Sequence, residues 1–76
     1  MNNSIRKELS KIQSTIDEAK CDIEEIMNNE QESFDNLPEG IQESEKGEKF
    51  EETIASLEEL IDFLDSAISE IDTASE

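Results

Sequence analysis

Apolar residues recur along this chain in two series. The first is Ile5, Leu9, Ile12, Ile16, Ala19, Ile23 and Ile26, with steps of four and three in strict alternation. The second is Phe50, Ile54, Leu57, Ile61, Leu64, Ile68 and Ile71, with the same steps. That alternation places side chains on one stripe of a supercoiled helix. The pattern predicts a first helix over about 4–31 and a second over about 44–73. Asn3 or Ser4 is placed to cap the first and Ser44 the second. Gly47 falls in the first turn of the second helix, which is therefore expected to firm up only near Phe50.

Between the series lies "NEQESFDNLPEGIQESEKGE", a hinge over about 32–43. Pro38 and Gly40 punctuate it, and Asp35 and Asn36 are turn formers. Pro38 suits the first turn of a short helix. Phe34, Leu37 and Ile41 form an expected apolar plug over the closed end. A structural cap explains these residues more simply than a binding loop does. The fold class expected is all-α, an antiparallel two-helix coiled-coil hairpin forming a single domain. Partner residues whose numbers add to about 80 then meet: Leu9 with Ile71, Ile16 with Leu64, Ile26 with Ile54. The same register brings Arg6 near Asp72 and Lys20 near Glu58.

With Ile54 at heptad position a and Leu57 at d, the e positions of the second helix are Glu51, Glu58, Asp65 and Asp72. Glu52, Glu59 and Asp62 lie beside them, so these seven acids form a band along the helix. Leu60, Phe63 and Ala67 fall on the other flank. They make a second apolar stripe, broader than one partner helix covers. Two hairpins packed into a four-helix bundle would hide it, which predicts a homodimer. The simpler alternative lays the stripe against the hairpin's own first helix, but Phe63 sits nearly opposite the seam.

Charge changes this picture. The chain of 76 residues has 22 Asp and Glu against six Lys and Arg, a formal charge of −16. From Phe50 to Asp72 there are eight acids and no base. A water-facing helix ordinarily mixes signs, since opposite charges four residues apart stabilise it by about 0.2–0.5 kcal/mol per pair. A field of this sign repels nucleic acid and anionic membranes and attracts basic surfaces. Solubility alone asks for a net charge of roughly 2–8 on a small domain. Solubility is the plain explanation of any acidic face. The absence of a single Lys in this one favours a basic protein partner.

Catalytic chemistry finds little to stand on. The chain has no His, which removes the usual neutral-pH base and transition-metal ligand. Cys21 is the only cysteine, so no disulfide forms within one chain, and neighbouring Asp22, Glu24 and Glu25 oppose a reactive thiolate. "EELID" (Glu58, Glu59, Asp62) distantly resembles the acidic helix motif of magnesium-dependent all-α nucleotide pyrophosphatases. Random Glu-rich helices also produce that spacing, and the second acidic motif of those enzymes is not evident. No EF-hand order and no phosphate-cradling glycine loop occurs. No enzyme, cofactor or metal site is expected. The N-terminus has no apolar run after its basic residues and no window suits a membrane span, so the expectation is a cytoplasmic protein.

From "FDNLPEGIQESEKGEKF" onward the chain resembles small acidic proteins of bacteriophages and prophages that share an "LP-x-x-x-Q-x-S-x-x-G" hinge before a Glu-rich heptad helix. The matching residues are Leu37, Pro38, Gln42, Ser44 and Gly47. The resemblance covers about half the chain and has no settled activity attached. It implies a phage or mobile-element origin and action in the host cytoplasm. The work it implies is disabling a host-defence protein or modulating a host nucleic-acid enzyme. The expected function is thus a non-catalytic inhibitor or regulator acting through the acidic band as a nucleic-acid mimic. The alternative is an adaptor module acting through Leu60, Phe63 and Ala67.

Overall fold

The computed structural model describes residues 2–76, all of it helix and short connections. Helix α1 spans Asn3–Asp35, a single turn α2 spans Glu39–Gln42, and α3 spans Glu45–Ala74. α1 and α3 pack lengthwise in a rod of 58 × 15 × 11 Å.

The helix ends explain the hinge residues. α1 starts one residue earlier than the cap residues named above suggest, because the Asn2 side chain accepts the Ile5 N–H at 3.0 Å. α1 also runs a turn past the predicted hinge boundary, to Asp35. Its last carbonyls would lack partners there. Backbone N–H groups of Asn36 and Leu37 reach the Glu32 and Phe34 carbonyls, and the Gln42 side-chain amide adds donation to Phe34 at 3.0 Å, to Asp35 at 3.5 Å and, just beyond the helix, to Leu37 at 3.2 Å. Pro38 stands just before α2, where its missing N–H costs nothing. Ser44 has the extended backbone of an N-cap, but its hydroxyl donates back to the Ile41 carbonyl instead of accepting from α3. Glu45 and Glu48 place negative charge in the first turn of α3, which suits the helix dipole.

Gly47 corrects an expectation. It does not loosen the start of α3, which is regular from Glu45. It is buried, and a Cβ at this position would collide with the main chain of Gln42. The glycine lets α2 turn tightly onto α3.

The register also differs from the sequence reading. Ring centroids of Phe34 and Phe50 are 6.5 Å apart. Lys20 Nζ lies 2.6 Å from Asp65, not beside Glu58. Gln13 donates to Asp72 Oδ1 at 2.7 Å and to the Ile68 carbonyl at 3.3 Å, while Arg6 reaches the Glu76 carbonyl at 3.5 Å. Partner numbers therefore add to about 84, one helical turn from the expected 80. On that register Leu9, Gln13, Ile16, Lys20, Ile23, Met27, Glu30 and Phe34 lie level with Ser75, Ile71, Ile68, Leu64, Ile61, Leu57, Ile54 and Phe50. All sixteen are half-buried.

Thus only Leu9, Ile16 and Ile23 of the first apolar series line the seam. Ile5, Ile12, Ala19 and Ile26 are exposed. α1 is turned about its axis so that the Gln13 amide and Lys20 ammonium answer acids of α3 while Met27 and Phe34 fill the seam. Among the described residues no apolar side chain is fully buried. The single chain has a seam but no enclosed core.

Candidate interaction surfaces

An antiparallel pair of helices has two distinct sides, with e positions facing e positions on one and g facing g on the other. The contacts assign them here. One shallow hollow is lined by Gln31, Phe34, Glu51, Ile54, Ala55 and Glu58, on the e side. The other is lined by Glu30, Lys46, Lys49, Phe50 and Thr53, on the g side.

The e side and the back of α3 carry the acids. Glu51, Glu52, Glu58, Glu59, Asp62, Asp65 and Asp72 are all exposed. Two of the seven have partners within the chain. Asp65 pairs with Lys20, which also lies 3.9 Å from Glu24, and Asp72 accepts from Gln13. The hydrogen bond that Lys20 donates to Asp65 raises its ammonium above the ordinary 10.5, with desolvation opposing and the charges of Asp65, Glu24 and Asp17 assisting. Glu51, Glu52, Glu58, Glu59 and Asp62 form no ion pair or side-chain hydrogen bond among the described residues.

The g side is apolar. Leu60 and Phe63 are exposed, Phe63 by 68%, and Ala67 is half-buried. Beside them stand Ile5, Ile12 and Ile26 of α1, with Ile12 50% exposed. Sequence reasoning placed these isoleucines in the seam and so missed half of this surface. The signal lay in their own sevenfold spacing, Ile5, Ile12, Ala19, Ile26, which is a stripe in its own right.

Among the described residues no three His, Cys, Asp or Glu groups converge as ion ligands would. Cys21 is exposed and free. No helix among them is long and apolar enough to cross a membrane. Comparison with known proteins finds no matching family model, curated protein or solved structure.

Proposed function

We propose that this is a non-catalytic interaction protein that binds a basic, nucleic-acid-handling or host-defence protein and inhibits or regulates it by occupying its nucleic-acid groove. One observation carries the reading: an exposed band of acids along α3 that intramolecular cations leave almost unanswered. Eight acids between Glu51 and Asp72 occupy roughly 32 Å of helix at 1.5 Å per residue, about one charge per 4 Å. A strand of duplex DNA carries one per about 3.4 Å. The two linear charge densities are alike, and a helix held straight by a partner presents its charges in a fixed row. Phage or mobile-element origin and action in the host cytoplasm belong to the same proposal.

The test uses acids without internal partners, because Asp65 also holds Lys20. Glu52→Lys with Glu59→Lys should abolish binding to a basic partner recovered from host-cell extract, and duplex DNA should compete with the wild-type chain for that partner. Binding that survives both the charge reversal and excess DNA overturns the reading.

The exposed g side supports a second reading, in which the hairpin is an adaptor and acts through its apolar surface. Association of two hairpins into a four-helix bundle, a homodimer, belongs with the first reading, in which this apolar side is the dimer contact.

A further inference from the structure

The inner part of the apolar side is symmetric about one level of the rod. In α1, Ile12 and Ile26 stand seven residues on either side of Ala19. In α3, Leu60 and Ala67 bracket residue 63. Since Phe34 lies level with Phe50, Ala19 lies close to the level of Phe63 and Asp65. The inner stretches Ile12–Ile26 and Leu60–Ala67 thus have their midpoints at nearly the same height, with Ile5 lying outside the symmetric part.

We infer that two copies of this chain pack through their g sides head to tail, with a two-fold axis passing beside Ala19 and Phe63, perpendicular to the rod. The inference rests on the self-association proposed above and settles its geometry. Ile12 of each copy then meets Ile26 of the other, Leu60 meets the smaller Ala67, and Ala19 meets Ala19. A repeat that reads the same from both ends is what a self-complementary two-fold interface requires.

Charge selects the same side and the same orientation. Two chains of −16 can approach only where acids are sparse. By heptad position the rim of the g side carries Glu8, Asp22 and Glu70, whereas the acidic band lies on the other side and points away from the second copy. Head-to-tail packing sets Lys46 and Lys49, at the closed end, near the C-terminal end of the second copy, where Glu76 follows α3. Head-to-head packing would instead gather four lysines at one end.

The area is adequate. An overlap centred on Ala19 that reaches Ile5 of each copy runs to residue 33, about 42 Å of helix, and two helices are roughly 20 Å wide. That gives a flat footprint on the order of 800 Å², about that of one partner in a standard interface. The second copy would also turn a half-buried seam into an enclosed core.

Sedimentation equilibrium and cysteine cross-linking test this. The expected mass is that of two chains. In a Cys21→Ser background, Ala19→Cys should give a disulfide-linked dimer under mild oxidation, because the two thiols face each other across the axis. Phe63→Glu should weaken association by about thirtyfold or more. Cross-linking is read on the unperturbed fold, so it decides the matter even if the Phe63 variant unfolds. A single-chain mass at high-micromolar concentration overturns self-association itself. A two-chain mass without the Ala19 cross-link overturns the head-to-tail axis while leaving self-association standing.

Discussion

At the scale of single residues, the hinge is read most sharply at position 47. Helix propensity alone makes Gly→Ala stabilising by about 1 kcal/mol in a helix interior. Here the added methyl group meets the Gln42 main chain, which cannot swing aside as a side-chain tip could. Gly47→Ala is therefore expected to destabilise by about 1–3 kcal/mol, the usual range for overpacking. A urea midpoint that rises with the substitution would show that α2 does not press on α3. The other hinge residues have equally local tasks. Gln42 closes the end of α1, Pro38 starts α2, and Leu37 is half-buried beneath them. Leu37, Pro38, Gln42, Ser44 and Gly47 thus build a turn, while Ile41, expected in an apolar plug with Phe34 and Leu37, is 41% exposed.

At the scale of elements, the register of α1 against α3 rests on polar contacts as much as on apolar ones. Lys20 sits at a seam position and reaches Asp65. A double-mutant cycle between Lys20→Ala and Asp65→Ala should show coupling, and one between Lys20→Ala and Glu58→Ala should show none; the reverse result would restore the register of 80. The pH dependence has a definite sign. The ammonium is raised above 10.5, so the folded state binds its proton more tightly than the unfolded chain does. The pair's contribution is then complete below 10.5 and is lost as pH rises through the raised value. Coupling measured at neutral pH should disappear in strongly alkaline solution.

At the scale of the whole molecule, like charge opposes the fold alongside chain entropy. Against a formal −16 the described residues offer two ion pairs, both on Lys20. Surface charges repel over a screening length of about 10 Å at 0.1 M salt, comparable to the width of the rod. Added sodium chloride should therefore raise the melting temperature, by roughly 4–8 °C for each kcal/mol of repulsion relieved. Capture of a basic partner should weaken over the same salt range. These opposite responses separate folding from binding: a melting temperature that falls with salt would mean that ion pairs outweigh the repulsion.

Sequence alone carried the coarse architecture. Four-three spacing names helices because side chains repeat every 3.6 residues, and Pro38 and Gly40 name the hinge because they restrict or free the backbone. The acidic line of α3 was legible too, since its heptad frame has only one apolar series to follow. α1 was different. Isoleucines flank the Leu9, Ile16, Ile23 line on one side, and Gln13, Lys20 and Met27 flank it on the other. Hydrophobic period favours the first choice, and the structure takes the second. What decides it lies across the interface: Asp65 and Asp72 accept from Lys20 and Gln13 only when α1 is rotated toward them. A one-dimensional pattern holds no record of which residue stands opposite which. Tertiary structure settled the register, and with it the exposure of Ile5, Ile12 and Ile26 as one surface with Leu60 and Phe63.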